Sequence, residues 1–117
     1  NYVDAINLAL VIQRSGKDAR ADALLSASEK VLANLPRLGF GYGVADAQIH
    51  ALRGETNEAL AALRVAVAAG WRGPFWRYYR DLDPTLESIR DEPGFKAVFA
   101  DIEHDMARQR EQLASDR

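Results

Sequence analysis

The sequence predicts an all-α fold of antiparallel helical hairpins, and three observations carry that prediction. Alanine, the strongest helix former, occurs 20 times in 117 residues. Apolar residues recur at three- and four-residue spacing, the period of a half-buried helix, and no stretch alternates long enough to make a strand. The four prolines, Pro36, Pro74, Pro84 and Pro93, fall where helices should begin or end.

Taken in order, the first helix is expected over about Asp4 to Ser15. Ile6, Leu10 and Gln13 lie on one face, and Ala5, Leu8, Ala9 and Ile12 on another. Gly16 is placed to stop it in the left-handed conformation. The second helix runs from about Asp18 to Leu35, with Ala21, Leu24, Leu25, Ser28, Val31, Leu32 and Leu35 on its apolar side, and Pro36 ends it. The glycine-rich stretch Gly39-Phe40-Gly41-Tyr42-Gly43 leads into a third helix that ends near Arg53, with Gly54 as its stop. Thr56 is the expected N-cap of a fourth helix through Ala69. Its inner face is Ala59, Leu60, Leu63, Ala66 and Val67, and Gly70 follows.

A short helix is expected from about Pro74. Asp83-Pro84 reads as an N-cap with proline at the first helical position, opening a brief helix that carries Leu86 and Ile89. Glu92-Pro93 restarts the chain for a final helix bearing Phe95, Val98, Phe99, Ile102 and Met106. Past Met106 the apolar face thins, so the last turns are expected to stand free or fray. The chain therefore reads as one domain: hairpin 1 over 1–36, hairpin 2 over 40–70, and an aromatic segment with capping helices over 71–117.

Composition narrows the function classes. A formal net charge of -2 gives no general pull toward nucleic acid or anionic lipid. The absence of cysteine removes disulfides, thiolate metal sites and a cysteine nucleophile. No apolar run approaches the roughly 18 residues of a membrane span. Asn1-Tyr2-Val3-Asp4 has no basic start or long apolar stretch of a signal peptide. Because the chain begins without Met, it is read as a piece of a longer protein. The cytoplasm is the expected compartment for a soluble regulator, with the periplasm as the alternative if a membrane segment lies upstream.

Gly16 and Gly54 are 38 residues apart, and neighbouring residues match at that offset. Ala9 pairs with Ala47, Ala21 with Ala59, Ala23 with Ala61 and Leu25 with Leu63, while Val11 and Ile49 agree in kind. The coinciding positions are small residues, where paired helices approach closely, and the Leu that fills the gap beside them. Residues Ala47 to Ala66 resemble one unit of the tetratricopeptide repeat (TPR) family, a 34-residue helical hairpin. In that resemblance Ala47 takes the small position of the first helix, Gly54 the turn, Ala59 the small position of the second helix, and Leu63 and Ala66 the bulky and small positions after it. The first copy matches through Ala9, Ile12, Gly16, Ala21 and Leu25, with Ser28 in place of the last Ala. Residues 2–73 are covered. Ala5 and Gly43 stand where the family has an aromatic, and His50 replaces a usual Tyr or Leu. The 38-residue offset implies about four extra residues between copies. Asp83-Pro84-Thr85-Leu86-Glu87-Ser88-Ile89-Arg90-Asp91-Glu92-Pro93-Gly94-Phe95 is similar to the closing segment of bacterial TPR arrays. That likeness implies a C-terminal piece of a multidomain regulatory or signalling protein.

Chemistry-bearing motifs are sparse. His50 and His104 lack the company a zinc site needs, and His104 sits in the charged ladder Asp101, Glu103, Asp105, Arg108. No Gly-Lys-Ser/Thr follows the Gly39–Gly43 loop, so it reads as a connection and not a phosphate cradle. Ser15, Ser26, Ser28, Ser88 and Ser115 show no nucleophile elbow. No catalytic residue, metal or cofactor is expected.

The expectation is a protein-interaction or scaffold module that takes a protein or peptide, including another domain of the same protein, on the face lined by the first helix of each hairpin. Asn7, Gln13 and Arg14 in hairpin 1, and Asp46, Gln48 and Arg53 in hairpin 2, are the exposed candidates there. Half of the ten aromatics crowd into Trp71–Tyr79 beside three arginines. That composition suits core packing with the arginines facing water, a protein hot spot, or single-stranded nucleic acid. Trp71, Arg72, Trp76, Arg77 and Tyr79 are its candidates. The alternative to a binding module is a structural cap that closes a longer array.

Overall fold

A computed structural model describes residues 2–35, 42–72 and 75–116. Among these every regular element is helical: α1 Tyr2–Arg14, α2 Asp18–Ala33, α3 Tyr42–Leu52, α4 Thr56–Ala68, α5 Trp76–Asp81, a 3₁₀ helix η1 Pro84–Ile89, and α6 Pro93–Ser115. The expected stop at Pro36, the expected helix start at Pro74 and the Gly39–Gly41 loop lie outside the described residues.

Each hairpin closes through one glycine. At Gly16 (φ 85°) the glycine N–H donates to the Gln13 carbonyl and the Lys17 N–H to the Ile12 carbonyl. At Gly54 (φ 77°) the same two bonds recur, from Gly54 to Ala51 and from Glu55 to His50. Both are Schellman closures, which satisfy carbonyls left over at the helix end. The next helix begins at once. Lys17 and Glu55 are the N-cap residues, and their carbonyls accept from Ala21 and Ala59. The expected cap at Thr56 is thereby corrected: Thr56 is the first helical residue, because Glu55 ends one helix with its N–H and opens the next with its C=O. Neither cap uses a side chain.

Helices α1 and α2 pair, as do α3 and α4, and the two pairs are joined through α3. Helix α3 is rich in small residues and buries two sides. Ala45 and Ile49 enter a cluster with Ile6, Ala9, Ala21, Leu25 and Leu32 from hairpin 1. Val44, Ala47 and Ala51 enter a second cluster with Leu63, Trp71, Trp76, Leu86, Phe95 and Phe99. In α1 the buried residues are Ile6 and Ala9, while Leu8 is half exposed. The buried side of α1 therefore runs between the two faces read from the sequence.

The C-terminal third folds back. η1 lies against α3 and α4, and α6 lies against α4. Asp83 caps η1 by accepting from the Thr85 N–H at 3.0 Å, with Pro84 next as expected. Phe95, Val98, Phe99 and Ile102 are buried along α6. From Arg108 the helix is exposed and continues to Ser115, so of the two expected outcomes, standing free or fraying, the last turns stand free. The run Ala107 to Ala114 is made almost wholly of strong helix formers. Asp105 also holds Arg108 at 2.6 Å and Gln109 at 3.2 Å along this turn. No helix among the described residues is long and apolar enough to cross a membrane.

Candidate functional site

Packing η1 beside α3 puts three elements, α1, α3 and η1, along one side of the molecule. Their ends enclose a cleft of about 430 Å³. Leu10, Ala51 and Leu52 provide its apolar lining, and Gln13, Arg14, Asp18, Glu87 and Ser88 its polar lining. An adjoining depression of about 590 Å³ continues past Gly54 to Asp22, Arg53 and Glu55. Gln13, Asp18, Leu52 and Gly54 belong to both.

Within this surface several candidates have structural duties. Gln13 donates to the Leu52 carbonyl at 2.6 Å and ties the end of α1 to the end of α3. Ser88 donates to the Ala51 carbonyl at 3.2 Å and ties η1 to the same end of α3. Arg53, expected as an exposed contact residue, is instead turned onto α2. It donates to Asp22 at 3.1 Å, to Ser26 at 2.8 Å and to Glu29. Burial pulls the Arg53 guanidinium down, but the bonds to Glu29 and Asp22 outweigh that and hold it above its ordinary value. Gln48 is half-buried and donates to the Asp83 carboxylate at 2.8 Å, so the cap of η1 is also its anchor on α3. Arg14 is exposed and pairs with Glu87 at 3.2 Å across the mouth of the cleft. Asn7 is exposed and bonds back to the Val3 carbonyl at 3.0 Å. Asp46 is half-buried on α3. Of the six candidates from the first helix of each hairpin, the structure brings Gln13 and Arg14 to the cleft and Arg53 to the adjoining depression, and leaves Asn7, Asp46 and Gln48 outside both linings.

The aromatic segment is mainly interior. Trp71 and Trp76 are buried in the second cluster, and Trp71 meets Tyr79 and Phe99 edge to face at 5.5 and 6.3 Å. The arginines are less free than expected. Arg72 donates to Asp105 at 2.8 Å and to the Val67 and Trp71 carbonyls, joining the chain after α4 to α6. Arg77 and Arg80 cover the Trp76 ring at 4.4 and 4.9 Å. Tyr79 is half-buried. Burial first, then the Asp83 carboxylate and the neighbouring Tyr78 and Tyr2, push its phenol above its ordinary value. Phe75 and Tyr78 are the exposed aromatics of the segment.

No protein-family model, curated protein or solved structure matches this chain.

The Glu55 carboxylate accepts from the His50 imidazole at 3.0 Å, and His104 is exposed on α6. No group of three or more His, Asp or Glu among the described residues could hold a metal ion. Leu10, Asp18, Asp22, Leu52, Glu55, Glu87 and Ser88 also line the cleft and its adjoining depression and are not among the contact candidates read from the sequence. Asp83-Pro84 signals that a helix starts, but nothing local signals that this helix packs against α3 and α4.

Proposed function

We propose that this chain is a non-catalytic protein-interaction module of TPR-like hairpins that takes a partner segment in the cleft between α1, α3 and η1. One observation carries the reading. The cleft joins an apolar lining to exposed polar groups at a place where three elements converge, the combination that orients a ligand and gives it buried area. The TPR-like part rests on the equivalent placement of Ala9, Ala21 and Leu25 with Ala47, Ala59 and Leu63, all without exposed surface. Selection of displayed peptides against the whole chain tests the proposal. Selected peptides should bind about tenfold or more weakly to Ser88→Arg, in which a long charged side chain occupies the cleft (a factor of ten is about 1.4 kcal/mol). Unchanged binding to that variant would move the site elsewhere.

A second reading, a cap that closes a longer hairpin array, is favoured by a different observation. Ile49 is 0% exposed because hairpin 1 covers it, whereas Val11, 38 residues earlier, is 61% exposed. In this reading Val11 lies on the face that another hairpin would cover, and the cleft binds nothing. Failure of every peptide selection, with association through Val11, would favour the cap.

A further inference from the structure

The charge of the cleft suggests the chemistry of its occupant. We propose that the cleft prefers an extended cationic peptide segment that also carries an aliphatic side chain; this rests on the reading of the cleft as a protein-binding surface. The charged lining of the cleft is Asp18 and Glu87 against Arg14, and the adjoining depression adds Asp22 and Glu55 against Arg53. Arg53 is 19% exposed in its side chain and committed to Asp22 and Glu29, so it and Asp22 largely cancel, leaving Asp18, Glu55 and Glu87 against Arg14. Asp18 is exposed and has no ion-pair partner among the described residues. The net field at the cleft is therefore negative, and it draws cations from solution. The C-termini of α1 and α3 and the N-termini of α2 and α4 meet here. Their dipoles offset one another, so the carboxylates decide the sign.

The mouth is held by a contact that opens easily. Arg14 and Glu87 bridge α1 and η1 at 3.2 Å, with side chains 59% and 69% exposed. Such solvated pairs contribute little to stability. A Lys or Arg of the incoming segment can take over Glu87 while Arg14 swings into solvent. The aliphatic side chain then meets Leu10 and Leu52, and a second cation reaches Asp18. A polyanion finds the opposite field, so nucleic acid is disfavoured at this face.

Amide chemical shifts of the isotopically labelled full chain provide the test. It is titrated with two end-blocked hexapeptides, Ala-Leu-Lys-Ala-Lys-Ala and the same sequence with Glu at both Lys positions. The Lys peptide should shift Leu52, Gly54 and Ser88 and weaken as salt rises. Asp18→Asn and Glu87→Gln should each weaken it about threefold, and Arg14→Ala should strengthen it by about the same factor, because Glu87 loses its competitor. All three side chains are exposed, and a melt of each variant verifies that the fold is kept. Equal binding of the Glu peptide, or selected peptides of other composition binding where the Lys peptide does not, would overturn the charge preference and leave the cleft standing as a binding surface. If no peptide of any kind perturbs the cleft, both readings fall.

Discussion

Ala9, Ala21 and Leu25 return 38 residues later as Ala47, Ala59 and Leu63, and none of the six retains exposed surface. The small side chains let each helix pair close, and the Leu fills the space beside them. Leu25→Ala and Leu63→Ala should each destabilise the chain by about 2–5 kcal/mol in chemical denaturation. A loss below about 0.5 kcal/mol at both would mean that the two positions are not equivalent core sites. Asp105 governs a different property. The Arg108 hydrogen bond first, and the Arg72 hydrogen bond after it, hold its carboxyl below the usual carboxylate value. A depressed folded-state pKa contributes stability above the unfolded value, near about 3.9, and that contribution is lost as pH falls through the folded value. Melting temperatures of the native chain and Asp105→Asn should therefore converge as the solution is acidified below about pH 4. A gap that stays constant down to the acid limit would rule out this role.

At the scale of elements, η1 and α6 close what the second hairpin leaves open. Asp83 caps η1, accepts from Gln48 on α3, and offers its carbonyl to Arg90 at 2.5 Å. Arg90 also reaches the Arg80 carbonyl at 2.9 Å and so fixes the end of α5 to the end of η1. Helix α6 then lays Phe95, Val98, Phe99 and Ile102 into the cluster that holds Leu60 and Leu63 of α4. Buried Phe and Ile side chains are worth about 1.5–3 kcal/mol each, which is large against the margin of a small domain. Truncation before Asp91 should give an aggregating or molten product in size-exclusion chromatography and near-ultraviolet dichroism. Truncation after Arg108 should leave the melt nearly unchanged, because residues 108–116 are exposed. A monomeric, normally melting product of the first truncation would mean that α6 does not hold the stack together.

Across the whole molecule, two apolar clusters share one helix. Ala45 and Ile49 of α3 serve the first cluster, and Val44, Ala47 and Ala51 the second. Neither cluster can lose α3 without exposing the other, so the molecule should unfold as one unit. Trp71 and Trp76 both report on the second cluster, whereas far-ultraviolet dichroism reports on every helix. Thermal transitions followed by the two signals should coincide. An earlier dichroism transition would show that hairpin 1 opens separately.

The periodicity of the apolar residues, the alanine content and the Gly and Pro positions determined the helices and their pairing, because these are local properties. Helix period, left-handed glycine and proline at a first turn act within a few residues of chain. For the same reason Asp83-Pro84 and Glu92-Pro93 were legible as restarts, while the Thr56 cap was displaced by one residue, since one peptide unit serves both helices. The thinning of the apolar face past Met106 shows that the last turns leave the core, and helix propensity decides that they stand free as helix instead of fraying. What belongs to the tertiary structure is the environment of each side chain. Val11 and Ile49 are similar residues at equivalent positions, yet one faces solvent and the other a hairpin. Arg53 and Gln48 look like free polar groups on a helix but are bound by Glu29 on α2 and Asp83 before η1, partners 24 and 35 residues away. The cleft likewise exists only once η1 has docked beside α3, and no local pattern encodes that meeting because it depends on how two separately formed surfaces fit.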